Sequence, residues 1–167
     1  MHENVRKDCL TLMRKYSSLE EFVRSFGQVK ELPSSDELAR LVNSKVKIPN
    51  FIGLSNLASN LGFIIQDEPN FREEDGYIRN YLGEFFGVVY LSSKSRLRGY
   101  ILAHELGHII APSLAVVNNL SYFSSKISMS SRDKDEERYL HHFAAKLTNT
   151  SLENLPADFI DNYFREL

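Results

Sequence analysis

The sequence predicts an α+β fold: a run of N-terminal helices, a small and mostly antiparallel sheet, then two longer helices packed with it. Three observations predict this. Apolar residues recur at helical spacing through the first third, shift to a two-residue period between about residues 62 and 91, and return to helical spacing from about residue 96. A chain of 167 residues favours one domain with a core large enough to need no staples. We therefore expect a single domain over 1–167, divided into an N-terminal helical region (1–48), a central core (49–147) and a helical tail (148–167).

The elements follow in order. Leu10, Leu12, Met13 and Tyr16 form a loose helical stripe. Ser18 and Glu21 make a capping box for a short helix that Gly27 ends. Ser34 and Glu37 repeat that signal ahead of Leu38, Leu41 and Val42, and Pro49 opens a helix that stops at Gly62. Residues 62–66 read as a short strand closed by Pro69; 77–82 alternate, Gly83 and Glu84 suit a turn, and 85–91 form a strongly apolar strand. Helices are expected at about 96–111, where Pro112 stops the first, at about 132–147 with Ser130 or Ser131 as cap, and at about 157–164. The Ser- and Asn-rich stretch 112–131 reads as the longest loop.

Composition excludes several function classes. Basic residues number 20 and acidic ones 22, so the basic excess of a nucleic-acid binder is missing and no direct nucleic-acid contact is expected. Cys9 is the sole cysteine, which rules out an internal disulfide and any cysteine metal cluster. The first residues carry scattered charges in place of a signal peptide's apolar stretch, and the longest apolar runs are too short to span a bilayer. A cytoplasmic protein without a membrane partner is the expectation.

The chemistry concentrates in His104-Glu105-Leu106-Gly107-His108. Residues four apart on an α-helix lie on one face, so His104 and His108 can offer two imidazole nitrogens to one ion. Glu105 is turned about 100° from His104, which sets it beside a metal rather than on it. There its carboxylate can take a proton from water that zinc makes acidic near neutral pH, the working principle of the zincin motif. Tyr100, Ile101, Leu102, Leu106, Ile109 and Ile110 surround these polar residues with apolar bulk, which a merely solvated helix face would not carry. Gly107, a poor helix former, makes sense if another backbone element approaches closely at that point.

Catalytic zinc usually takes three protein ligands and leaves one position open. No third histidine follows His108 closely, so the third ligand must come from elsewhere, most simply from the helix at 132–147. Its buried stripe, Leu140, Phe143, Ala144 and Leu147, extends back to both Glu137 and Glu136, and spacing does not choose between them. His141 lies on the face of Glu137 and can support the site from behind. His142, Tyr139 and Tyr122 are the candidates for stabilising a developing oxyanion.

The run Arg96-Leu-Arg-Gly-Tyr-Ile-Leu-Ala-His-Glu-Leu-Gly-His108, with the later run from Glu137 to Phe143-Ala144-Ala145, resembles the ImmA/IrrE metallopeptidases. The likeness covers roughly residues 52–147. Aligning the family's Phe-Ala on Phe143 and Ala144 puts its ligand glutamate on Glu137 and its small polar residue on His141. Leu140 stands where the family has a small residue, and the proline that often follows its Phe-Ala helix is missing. The resemblance implies a zincin-like domain with a catalytic core over 49–147. It also implies a Zn2+ cofactor held by His104, His108 and Glu137, with Glu105 as base. The implied activity is cleavage of a separate helix-turn-helix repressor, as in bacterial, phage and mobile-element relatives. The rival class is a non-catalytic zinc-binding sensor or interaction module.

Overall fold

The computed structural model describes residues 10, 13, 17–46, 49–73, 75–80, 87–93, 96–123 and 133–165. Leu12, Tyr16, the Gly83-Glu84 turn, the start of the 85–91 run and the caps at Ser130 and Ser131 lie outside them. Helix α1 (Ser17–Arg24) already contains Ser18, and the turn after it carries Gly27 at φ +81°. Helix α2 (Ser35–Asn43) starts where Ser34 accepts a hydrogen bond from Glu37 N. Asn50, one residue past Pro49, caps α3 (Phe51–Asn60) by accepting from Gly53 N, and Gly62 at φ +93° ends the turn beyond it.

The sheet corrects the sequence reading. Strands β1 (Phe63–Glu68), β2 (Gly76–Asn80) and β3 (Gly87–Ser92) lie in the order β1-β3-β2, with β1 parallel and β2 antiparallel to β3. The sheet is therefore mixed, not mostly antiparallel. Val88, Val89 and Leu91 of β3 are buried on both faces, so this strand takes the middle and separates its two predecessors. The chain crosses from β1 to the far edge before returning through the centre, which makes β1 and β3 run the same way.

Helix α4 (Arg98–Val117) is the axis of the core and packs against α1, α3, α5, β2 and β3. It is long and apolar enough to cross a membrane, yet 83% of that apolar window is buried inside the protein. Arg98 anchors its first turn: the guanidinium meets Asp67 of β1 at 2.6 Å and Ser92 O of β3 at 3.4 Å, and lies 4.5 Å from the centre of the Phe51 ring.

Pro112 does not end α4, contrary to the sequence expectation. A proline here denies the His108 carbonyl its usual donor, at a cost of about 3 kcal/mol. Continuing the helix, however, buries Leu114 and Val116 completely or nearly so, and two such side chains return about 3–6 kcal/mol. The stop comes at Asn118 and Asn119. Asn119 adopts φ +54°, and Leu120 N reaches back to Ala115 O at 2.8 Å, a Schellman closure. The loop expected from residue 112 thus begins only after Val117, and its portion 124–132 falls outside the described residues.

Helix α5 (Lys134–Leu147) is capped by Asp133, whose carboxylate accepts from Asp135 N and Glu136 N. It packs on α2 and α4. After a 3-10 turn (Leu152–Asn154), α6 (Ala157–Phe159) passes directly into a π-helical turn (Ile160–Phe164), where the sequence predicted one short helix. One apolar core joins residues from Met13 to Leu155 around α4.

Candidate metal centre

Helices α4 and α5 meet at Gly107. A Cβ there would stand 2.9 Å from Leu140 Cδ2 and 3.1 Å from the Phe143 ring, so only glycine lets α5 settle this close. The close approach expected from the sequence is made by side chains of α5, not by backbone. It places Glu137, one turn before Leu140, opposite His104 and His108.

The three groups converge. His104 Nε2 and His108 Nε2 are 3.2 Å apart, with the rings at 87° to each other. Glu137 Oε2 lies 3.3 Å from His104 Nε2, and Glu137 Oε1 lies 2.9 Å from His108 Nε2. Ligands about 2.0–2.1 Å from a tetrahedral zinc stand about 3.3 Å from each other. The donor set is therefore spaced as a single small ion requires. The potential metal-holding groups, His104/Glu137/His141 and His108/Glu136/Glu137, share Glu137 and join through the two Nε2 atoms.

Charges in this buried cluster are unequal. Burial, reinforced by His141, pulls His104 down to about 3, outweighing the pull of Glu137. Burial also works against a charged His108, but Glu136 and Glu137 outweigh it and hold this imidazole up at about 10. Burial opposes ionisation of Glu137 too, and is overcome by hydrogen bonding to His104, His108 and His141, leaving its carboxyl far below the usual range. The metal-free cluster is thus a neutral His104, a protonated His108 and an ionised Glu137. His104 Nδ1 is buried with no hydrogen-bond partner among the described residues.

Glu105 is buried at 2% exposure beside the first residue of β2. A Cβ on Gly76 would collide with Ile101 Cγ2 and sit 3.4 Å from Glu105 Oε1, so a glycine is what lets the strand pass Glu105. Glu136 lies behind the centre, its Oε1 3.5 Å from His108 Nδ1. Geometry thus separates the two glutamates that spacing could not: Glu137 faces both Nε2 atoms, and Glu136 the far side of one ring.

His141 is buried against Glu137, with Nε2 3.6 Å from Oε2 and Nδ1 2.6 Å from the Tyr100 hydroxyl. Its ring stacks on His104 at 4.0 Å and on Tyr163 at 4.1 Å. His142 turns elsewhere: its Nε2 meets Tyr163 O at 2.8 Å and its ring lies on Phe164. Tyr139 donates to Pro33 O at 2.7 Å and so ties α5 to the start of α2. These two bonds engage both groups away from the donor atoms, and an oxyanion role for either has no geometric support. The Tyr122 ring packs against Phe123.

Sequence reasoning missed Tyr100, Tyr163 and Gly76. Tyr100 read as apolar bulk, although one helical turn before His104 is where a second polar tip can reach the site. Tyr163 had no signal, because its approach depends on the π-helical turn. No family model matches this chain, and neither a curated protein nor a solved structure matches it.

Proposed function

We propose that this chain is a cytoplasmic zinc-dependent endopeptidase with a zincin-like domain, of the ImmA/IrrE kind its motifs resemble. On that resemblance its substrate is a regulatory protein, a helix-turn-helix repressor. The observation that carries the reading is the spacing of His104 Nε2, His108 Nε2 and the Glu137 carboxylate at 2.9–3.3 Å, which suits one zinc with a position to spare. Bound zinc supplies Lewis acidity, which acidifies water and polarises a peptide carbonyl.

The chain's own residues do the rest. Glu105, one residue from His104 and outside the donor triangle, takes the proton of the attacking water and passes it to the amine as the C–N bond breaks. Its near-complete burial keeps bulk water from competing for that proton. Strand β2 lies at a sheet edge and begins at Gly76 against Glu105, so an extended substrate pairing with that edge would bring its backbone past the base.

The second reading, a non-catalytic zinc module, draws on His141. As a fourth ligand it would close the coordination shell, as in structural sites. The 26° angle between the stacked His104 and His141 rings opposes this, since lone pairs in nearly parallel rings run side by side and do not converge.

A Glu105→Gln variant separates the two. The zinc-loaded protein is incubated with helix-turn-helix repressors of its own genome, and fragments are followed by mass spectrometry. Wild type should cut one of them, while Glu105→Gln keeps fold and zinc and is slower by about 10²–10⁴-fold. If that variant still regulates its partner at the wild-type level, the peptidase reading fails and the binding module takes its place.

A further inference from the structure

We propose that Tyr100 and His141 form a two-residue relay that fixes the orientation of the Glu137 carboxylate toward His104 and His108. The inference rests on the zinc reading above and assigns residues that the donor triangle itself does not include.

Hydrogen-bonding logic orders the chain. The Glu137 carboxylate only accepts, so the nitrogen facing it, His141 Nε2, carries a proton. The other ring nitrogen, Nδ1, meets the Tyr100 hydroxyl at 2.6 Å, so the ring is held between that hydroxyl and the carboxylate. The line of contacts joins Tyr100 to Glu137 through His141. At 3.6 Å the last step is a charge–dipole attraction, longer than a full hydrogen bond. It acts on Oε2, which also stands 3.3 Å from His104 Nε2, while Oε1 stands 2.9 Å from His108 Nε2.

Packing prevents the relay from swinging away. The His141 ring is clamped between His104 and Tyr163, at 4.0 and 4.1 Å, and Phe159 closes a third side at 4.9 Å. Tyr100 is 2% exposed and belongs to α4, the helix that also carries both histidines. Its hydroxyl thus refers the α5 carboxylate back to the α4 imidazoles. Removing such outer partners typically lowers metal affinity about 10–100-fold.

The test measures zinc affinity by competition with a chromogenic chelator, alongside the visible spectrum of the Co2+ form and the melting of the metal-free protein. Tyr100→Phe and His141→Ala should each weaken zinc binding by about 10–100-fold with the ligand count in the Co2+ spectrum unchanged. His141→Gln, which keeps an N–H near the Nε2 position, should recover most of the loss. Wild-type affinity in a folded Tyr100→Phe overturns the relay. So does loss of a nitrogen ligand from the Co2+ spectrum in His141→Ala, which would make His141 a ligand. If Tyr100→Phe fails to fold, the other pair decides: equal affinities in His141→Ala and His141→Gln refute it. A wild-type chain that binds no zinc removes the zinc reading itself, a result separate from any difference among variants.

Discussion

Each side chain of the donor triangle brings a different protonation state to the site, and this sets what binding a metal there would require. In the metal-free protein Glu136 and Glu137 keep His108 protonated up to about 10 against the penalty of burial, whereas burial keeps His104 neutral down to about 3. Glu137 is ionised across the working range. Only His108 must therefore lose a proton to become a ligand. Its pKa is raised, so the proton is present at neutral pH and opposes the cation. Zinc affinity should then rise with pH up to about 10, with about one proton released per zinc at neutral pH. Calorimetric titration in two buffers of different ionisation enthalpy measures this; zero release, or affinity falling with pH, contradicts it. The pairing of His104 with His108 was legible in the sequence because helical geometry is local. The choice of Glu137 over Glu136 was not, since it depends on how α5 is rotated against α4.

Helix α4 shows why local signals fail at element ends. Proline carries a fixed penalty, but burial of the following turn depends on partners far along the chain, and here burial wins. The strands tell the same story: their apolar periods were readable, while the parallel pairing of β1 with β3 follows from which strand is buried on both faces. Gly107 is the converse case, a residue unfavourable for its own helix whose value lies in the packing of another. Gly107→Ala gains about 1 kcal/mol of helix propensity but overfills the contact with Leu140 and Phe143 at a cost of about 1–3 kcal/mol. The expected outcome is lower thermal stability together with weaker zinc binding, as α5 is pushed from α4. A more stable variant with unchanged zinc affinity would show that the helices are not held apart by this contact.

Across the whole molecule, the site draws together side chains from parts that are far apart in the sequence. His104 and His108 sit on the central helix, Glu137 on α5, and Tyr163 on the C-terminal π-helical turn. A ligand bridging α4 and α5 binds the folded state and not the open chain. At free zinc about 1,000 times its dissociation constant it should add about 4 kcal/mol, or about 8–16 °C in melting temperature. Thermal melts with zinc and with a chelator measure that shift, and identical melts would mean that no ion spans the helices.

In the proposed site His104, His108 and Glu137 hold one zinc, and Glu136 and Glu105 do not ligate it. Metal content per chain, measured by mass spectrometry on purified variants, decides between this arrangement and its alternatives. About one zinc is expected in wild type, Glu136→Ala and Glu105→Gln, and a sharp loss in Glu137→Ala. Equal zinc in Glu137→Ala and Glu136→Ala, or none in wild type, would contradict it.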